Sequence, residues 1–447
     1  MNDDQTLPRL SRAMEFPGLP VPPVRIVHLG LGAFHRSHQA WYTQHAGDSA
    51  DWGIAAFTGR RPDAAEVLSA QGGMFTVVER SGNGDSFEVV GSIVEAVDGA
   101  DVGRLVELVA APATALITLT ITEAAYAADT VQSDTSSTPL ARLVTALAAR
   151  MAAGGGPIAV VSCDNLAENG TVARSTVAAI AEDSDPALAT WIEANVSFVS
   201  TSVDRITPRT TTSDLDVVAD ACGYRDAAPV VTEPFRNWIL SGEFPAGRPR
   251  WEDAGAVFVD DIEPYENRKL WLLNGAHSIL AYAGLVRGHS TVAEALSDDL
   301  CRDAVEAFWD EAARHLSDEE LAIPAYRRAL LERFGNSRIA HHLTQIAMDG
   351  TTKLRMRALP VLAAERAAGR SGDGAARMIA AWVAYLSSTT DIHDPLAIKM
   401  QDAKTLDGEH RTAALLALIS TELANDAAAV SQIHRQLDSF AATTTHA

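Results

Sequence analysis

The sequence predicts an α/β protein with a doubly wound parallel sheet in its first part and a mainly α-helical second part. Three observations carry this: β-rich runs alternate with helical segments through residues 24–262, an early run ends in a Gly30-Leu31-Gly32 turn that opens a helix, and from Glu263 onward Ala, Leu, Glu and Arg recur at helical spacing. The chain has 447 residues, more than a single core fills, so two domains are expected.

The elements follow in order. Residues 1–23, ending in Pro20-Val21-Pro22-Pro23, read as an extended N-terminal arm. Arg25–Gly30 is a short strand, followed by a glycine turn and a helix over 33–46; Trp52–Phe57 is a second strand, and a helix then starts near Pro62, where proline suits a first turn. Phe75–Glu79 and Ser86–Val90 flank Ser81-Gly82-Asn83-Gly84-Asp85 as a hairpin. Ala115–Thr122 and Pro157–Cys163 are apolar, β-branched runs typical of parallel strands covered on both faces, with an Ala-rich helix over 139–153 between them. Ser197–Val203 is another strand, and Pro229–Thr232 and Ala256–Val259 are late ones. Residues 263–447 read as nearly all helix, with breaks at Gly288, Ile323-Pro324, Gly335-Asn336, Gly350, 369–374 and Asp394-Pro395. The expected domains are therefore 24–262, dinucleotide-binding, and 263–447, substrate-binding and catalytic, with the cleft between them as the default ligand site.

A formal charge of -22 argues against nucleic acid or an anionic membrane surface as partner, which leaves a small molecule. Cys163, Cys222 and Cys301 lie far apart with no C-x-x-C, which fits a reducing cytoplasm and supplies no zinc framework. No apolar run approaches the roughly 18 residues of a membrane span, and Met1-Asn2-Asp3-Asp4 lacks a basic leader. A soluble, cytoplasmic protein without a bound metal is the expectation, and a monomer is compatible with it.

The stretch from Glu266 to His277 stands out. At about 100° per residue from Lys269, Glu266 falls near 60°, His277 near 80° and Asn274 near 140°, so all four share one side of a largely apolar helix. Asn267 and Arg268 dilute that pattern in the first turn. An ordinary lysine has a pKa of about 10.4, and desolvation can bring it towards 7 to 8, where it serves as a general base. The alternative is a snorkelling lysine with two satisfied core polar groups.

At the other end, Gly30-Leu31-Gly32-Ala33-Phe34-His35 carries the first two glycines of G-x-G-x-x-G, and His35 stands at the third. The first two make the tight turn and let a pyrophosphate approach the backbone at a helix N-terminus, while the third only eases helix-strand packing. This is a Rossmann-like signature. After the second strand, Asp63 could accept from ribose hydroxyls, as in NAD enzymes, and Arg60 or Arg61 could hold a 2'-phosphate.

Four segments in order resemble the mannitol dehydrogenase family of polyol-specific long-chain dehydrogenases. They are Val27 to Ala40, Ser162-Cys163-Asp164-Asn165 through Gly170, Val203-Asp204-Arg205-Ile206-Thr207-Pro208, and the K-x-x-x-x-N-x-x-H of Lys269, Asn274 and His277. The resemblance implies a metal-independent enzyme that oxidises a secondary alcohol with NAD, NADP being the alternative; an acid near Asp63 favours NAD. It implies Lys269 as general base, Asn165 and Asn274 as donors to the developing alkoxide, and His277 as guide of the substrate hydroxyls. Asp204 tunes this network and Glu266 gates proton escape to water, whereas Asp164 is structural. The cofactor-binding set it implies is Gly30, Gly32, Ala33, Phe34, Asp63, Thr122 and Asn165.

Three stretches, Thr122 to Tyr126, Glu233 to Trp238 and Gln345 to Leu354, resemble the branch that interconverts mannonate and fructuronate. A substrate carboxylate would suit Lys353, Arg355 or Arg357, with Arg355 the substrate-binding candidate. Leu354-Arg355-Met356-Arg357 departs from the proline followed by lysine or glutamine common in relatives, and the chain is shorter than is usual for hexuronate enzymes. Mannitol to fructose therefore stays open, as do arabinitol and sorbitol. A redox-silent dinucleotide-binding sensor is the rival from another class, and it would not need Lys269, Asn165 and Asn274 together. A metal-dependent polyol dehydrogenase is disfavoured by the scattered cysteines and histidines. Full turnover after exhaustive chelation is the expected result, and loss of turnover restored by zinc would overturn the metal-independent reading.

Overall fold

The computed structural model describes residues 7–14, 16, 19–126 and 138–440. The N-terminal Met1-Asn2-Asp3-Asp4 and residues 441–447 lie outside them. The chain divides into two compact units, Met1–Glu263 and Pro264–Ala447.

In the first unit β1 (Val24–Leu29) leads into α1 (Ala33–Ser37) and α2 (Gln39–His45), then β2 (Gly53–Phe57) and α3 (Asp63–Ala70). A hairpin of β3 (Phe75–Ser81) and β4 (Gly84–Val90) precedes β5 (Ile93–Val97), α4 (Val102–Ala110), β6 (Leu116–Leu119), α5 (Pro139–Ala152) and β7 (Ile158–Ser162). There follow α6 (Asn169–Ser184), α7 (Pro186–Asn195), β8 (Val196–Asp204), α8 (Thr212–Cys222), β9 (Val230–Thr232), β10 (Asn237–Ser241) and β11 (Val257–Phe258). The main sheet has the order β11-β10-β8-β7-β6-β1-β2-β5. From β5 to β8 every pairing is parallel, and β10 turns antiparallel to β8. This is the doubly wound order, whose strand sequence reverses between β1 and β6. A second, smaller sheet, β4-β3-β9, holds the hairpin.

Alternation along the central strands feeds two cores. Ile26, Ile54, Ala56, Leu116, Ala159 and Val161 enter one, and Val27, Ala55, Phe57, Ile117, Leu119 and Val160 enter the other. Strands β2, β6 and β7 are buried along their whole length, as expected of parallel strands covered on both faces. The sequence reading passed over β5 and β10. Both lie towards the sheet's margins, where the apolar run is diluted by Glu95 in β5 and is short in β10. The arm is not a free extension. Arg9 bridges to Arg225, Leu10 is fully buried, and the Arg12 guanidinium donates to the carbonyls of Gly72 (2.6 Å), Gly91 (2.6 Å) and Ile93 (2.8 Å).

The second unit is helical. α9 (Glu263–Arg268) runs into a wide turn over Lys269–Gly275 and then α10 (Ala276–Val286), whose residues 276–284 are all buried. Around it come α11 (Val292–Ser297), α12 (Asp299–Ala313), α13 (Ile323–Phe334), α14 (Leu343–Ile346), α15 (Gly350–Arg357), α16 (Leu359–Ala367) and α17 (Asp373–Ser388), with shorter helices on to Gln436. An all-round apolar helix such as α10 belongs at the centre of a bundle. The expected breaks lie at helix boundaries: Gly288 is left-handed (φ 86°), Pro324 sits in the first turn of α13, and Gly350 begins α15 behind a left-handed Asp349. No helix among the described residues is long and apolar enough to cross a membrane.

One buried carboxylate ties α12 to α16. Glu365, with 1% of its side chain exposed, accepts two hydrogen bonds from Arg370 (2.7 and 2.8 Å), one from Arg314 (2.5 Å) and one from His315 (2.8 Å). The Arg370 guanidinium, ahead of Arg314 and His315, holds its carboxyl down to about 2 despite burial. A folded pKa below the unfolded value of about 4.3 stabilises the fold above pH 4.3, and that stabilisation is lost as pH falls through 2. Glu365→Gln should therefore lower the stability of the helical unit at pH 7 by about 2 kcal/mol, after discounting for solvent screening. In denaturant titrations the gap to wild type should close between pH 4.3 and 2; a gap independent of pH would show that the network's charge does not matter.

Candidate active site

Every candidate in the first unit lies at or just beyond the carboxyl end of one of five adjacent strands. Asp63 follows β2, Gly30 to Phe34 follow β1, Thr122 follows β6, Asn165 follows β7, and Asp204 ends β8. In open α/β sheets ligands bind outside these ends, where the strand order reverses. Gly30 sits at that reversal. Its φ is 111°, and a Cβ there would lie 2.1 Å from the Thr120 carbonyl oxygen, so only glycine allows the chains of β1 and β6 to approach this closely. Gly32 caps the N-terminus of α1, and Ala33 and Phe34 form its first turn.

A chain of hydrogen bonds supports the turn from below. The Thr120 hydroxyl donates to the Gly30 carbonyl (2.9 Å), so towards His28 Nε2 (3.1 Å) it must accept. His28 therefore carries its proton on Nε2. Burial lowers its pKa to about 3, so the ring is neutral and its Nδ1 accepts from the Thr118 hydroxyl (2.8 Å). The third-glycine position is filled in an unexpected way: the ring of His35 stacks on His28, with centroids 3.3 Å apart and planes 8° from parallel. Two neutral imidazoles take the place of close helix-strand contact.

Asp164 accepts from the Thr122 backbone N–H (2.7 Å) and the Tyr126 hydroxyl (2.7 Å), and burial raises its pKa. It fixes the loop after β6, the structural part given to it, and holds Thr122 at a left-handed φ of 74°. Asn165 beside it is exposed. The loop carrying Asn165 is pinned by buried Asn169, which donates to the carbonyls of Asp164 (2.9 Å) and Thr201 (2.7 Å) and accepts from Thr201 N–H (2.8 Å). Asp204 is 8% exposed and opposite Asn237 of β10. Asp63 is the outlying member: it opens α3 with its side chain 71% exposed and 3.5 Å from Arg61.

In the second unit the expectation of an unbroken α-helix from Glu266 to His277 needs correction. Lys269–Gly275 is π-helical. Its i→i+5 turn advances roughly 80° per residue instead of about 100°, which swings Asn274 from about 140° to within about 40° of Lys269. A spacing of five residues matches this wider turn. Continuing through α10 puts His277 roughly 50° on the opposite side, so Lys269 stands between the two. Lys269, Asn274 and Glu266 are half-buried. Arg268, expected to dilute an apolar surface, is instead buried, donates to the Leu321 carbonyl (2.7 Å) and lies 4.3 Å over the Tyr326 ring.

Widening a helix leaves carbonyls badly aimed at their own chain, and a buried carbonyl without a donor costs about 1–3 kcal/mol. Two side chains outside the turn supply donors. Trp309 Nε1 donates to the Leu272 carbonyl (2.7 Å), and Arg357 Nη1 donates to the Asn274 carbonyl (3.0 Å) and the Ser278 hydroxyl (2.9 Å). Neither contact was legible in the sequence, where only the five-residue spacing hinted at a wide turn.

His277 is buried, with Phe334 and His341 rings each 4.8 Å away. Burial puts its pKa well below the ordinary value, and His341, Arg333, Arg357 and Lys353 add to this. The ring is neutral, and its Nε2 is buried with no hydrogen-bond partner among the described residues. Lys353 is half-buried and donates to the Ile346 carbonyl (2.9 Å); desolvation lowers its pKa. Arg355 is the candidate that does not join this group: it is exposed and donates to the Leu418 carbonyl (2.5 Å). On α15 it is two residues, about 200°, from Arg357, which faces Asn274.

Two family profiles match the chain, the mannitol dehydrogenase Rossmann domain over residues 24–253 and the mannitol dehydrogenase C-terminal domain over residues 261–441. D-mannonate oxidoreductase of Escherichia coli is 37% identical over 88% of this chain and 88% of its own. Mannitol 2-dehydrogenase of Phaeosphaeria nodorum is 32% identical over 93% of this chain and 79% of its own. Among solved structures, the ternary complex of Pseudomonas fluorescens mannitol 2-dehydrogenase with NAD and D-mannitol aligns with a TM-score of 0.78 at 32% identity, covering 96% of each chain. A D-sorbitol dehydrogenase in substrate-free form aligns with a TM-score of 0.85 at 26% identity, covering 96% of this chain and 97% of that one. With both of its units matched, this chain belongs to the mannitol dehydrogenase family of oxidoreductases.

Proposed function

We propose that the chain is a metal-independent, NAD-dependent dehydrogenase that interconverts a secondary alcohol and a ketone on a linear C6 hexonate or sugar alcohol. D-mannonate/D-fructuronate is the leading substrate pair, and D-mannitol/D-fructose is the second. The observation that carries it is the π-helical turn over Lys269–Gly275, whose wider winding brings Asn274 towards the side of Lys269, followed by a neutral His277 whose Nε2 has no partner among the described residues. A buried nitrogen of this kind suits a substrate hydroxyl.

The Gly30–Phe34 turn would hold NAD, which when bound would supply the hydride acceptor. Gly30 fits that part, since its carbonyl is fixed by Thr120 and its φ of 111° makes the tight turn from which α1 starts. Asp63, Thr122 and Asn165 complete the cofactor-binding set carried over by resemblance. Lys269 takes the proton of the reacting hydroxyl, and the Asn274 amide donates to the oxygen as negative charge develops there. Fixed donors aimed at such an oxygen act on the transition state more than on the substrate. By the same resemblance Asn165 is a second amide donor, Asp204 tunes the network, and Glu266, one turn before Lys269, passes the proton on to water.

Mannonate is placed first on electrostatic grounds. The charges of Arg333, Lys353 and Arg357 all reach His277, and they would attract a substrate carboxylate more than a neutral polyol. The name of the Escherichia coli relative points the same way. Arg355, turned to Leu418, is not kept as the carboxylate ligand. Mannitol remains as the second reading because a solved relative holds it.

Lys269→Ala should lower turnover at least a thousandfold while the protein still binds NAD, as read by fluorescence titration; turnover near wild type in the folded variant would sink the general-base assignment. Following NADH absorbance with mannonate, mannitol, arabinitol and sorbitol decides the substrate. Mannonate is expected to give the highest kcat/KM, and faster use of mannitol would overturn that order.

A further inference from the structure

We propose that Arg357, assisted by Trp309, is a positioning residue for the alcohol-oxidising site: by binding carbonyls of the wide turn it keeps the Asn274 amide on the side of Lys269. The inference rests on the proposed function for its chemistry, but its structural part stands apart from it.

Arg357 puts its charge to an unusual use. Arg357 is largely enclosed, and burial brings its pKa down to about 10, so it is still a cation at neutral pH. Among the described residues no carboxylate is shown paired with it. Its recorded partners are two neutral oxygens, one of them the backbone carbonyl of Asn274 itself. A charge-assisted hydrogen bond to a carbonyl is among the stronger ways to fix a backbone atom. Here that atom is three bonds from the Cβ that carries the catalytic amide. The second acceptor, Ser278, lies one α-helical turn further on, so a single guanidinium nitrogen spans the junction at which π-helix returns to α-helix.

Trp309 acts on the same turn two residues earlier. It is fully buried on α12, and its indole holds the Leu272 carbonyl. The close approach of α12 is written into the sequence: a Cβ on Gly275 would lie 2.5 Å from the Phe308 ring, the residue preceding Trp309. Without these donors the turn's carbonyls would be better satisfied by closing to i→i+4 bonding. That rotates Asn274 about 100° away from Lys269. The rival role for Arg357 is that of direct ligand to a substrate carboxylate.

The test uses the full chain with Arg357→Met, Arg357→Lys and Trp309→Phe, assayed with NAD on mannonate and on mannitol. Positioning predicts that Arg357→Met and Trp309→Phe lower kcat 10- to 100-fold on whichever substrate is used, with KM and the NAD dissociation constant within about threefold. Arg357→Lys should recover part of the loss, and the deuterium isotope effect on kcat should rise as hydride transfer becomes limiting. Hydrogen exchange of residues 269–278, read by mass spectrometry, should accelerate in Arg357→Met even if the chain turns over neither substrate, which separates this proposal from the functional reading. A rise in KM for mannonate alone, with exchange unchanged, would make Arg357 a carboxylate ligand and overturn the proposal. If Arg357→Met does not fold, unchanged kcat in both Arg357→Lys and Trp309→Phe would overturn it equally.

Discussion

A backbone carbonyl that is buried must be given a donor, and in this protein the candidate site is built around carbonyls whose donors come from side chains. Thr120 serves Gly30, Asn169 serves Asp164, Trp309 serves Leu272 and Arg357 serves Asn274. In each case the chain has left regular structure at or near a candidate residue, and a side chain supplies the donor that secondary structure does not. Irregular backbone is what lets β1 turn sharply at Gly30 and a five-residue spacing fall towards one side of a helix. The supporting side chains are what make it hold still.

The same logic orders the electrostatics. His28, His35 and His277 are all buried and all pushed down in pKa by desolvation. They act as neutral rings: His28 relays hydrogen bonds under the glycine turn, His35 packs on it, and His277 lies against the Phe334 and His341 rings. Arginines that are buried are either met by a carboxylate, as Arg205 is at Glu79, or spent on backbone, as with Arg150, whose guanidinium serves the carbonyls of Val109 and Gly156. Arg357 belongs to the second class, and its place at the wide turn separates it from a merely structural arginine.

Much of the fold was legible because parallel strands buried on both faces leave continuous apolar runs, and β2, β6 and β7 are of that kind. β5 and β10 were not, since strands near a sheet's margins relax the pattern. The glycine turn and the Lys269-Asn274-His277 spacing could be picked out from the sequence as candidates. What could not be read was the local geometry of the second of them: α-helical periodicity is assumed in any helical projection, and a π-turn breaks that assumption locally without changing composition. Arg355 and Arg357 were equivalent as sequence, two basic residues on one helix. Only the rotation of about 200° between them, read against a neighbouring element, sends one to Leu418 and the other to Asn274.

The docking of Arg12 alters where the protein should be said to begin. A strand map starts the first unit at Val24, yet three carbonyls of the sheet's outer region, at Gly72, Gly91 and Ile93, are satisfied from residue 12, and the cluster around Met74 and Val78 is completed by Leu10. A chain shortened to Val24 would keep every strand and still expose that cluster and strand those carbonyls beside β5, the edge of the main sheet. Exposed apolar surface next to an unprotected sheet edge invites edge-to-edge association. Leu10 and Arg12 thus cover apolar surface and carbonyls that a shortened chain would leave open to association.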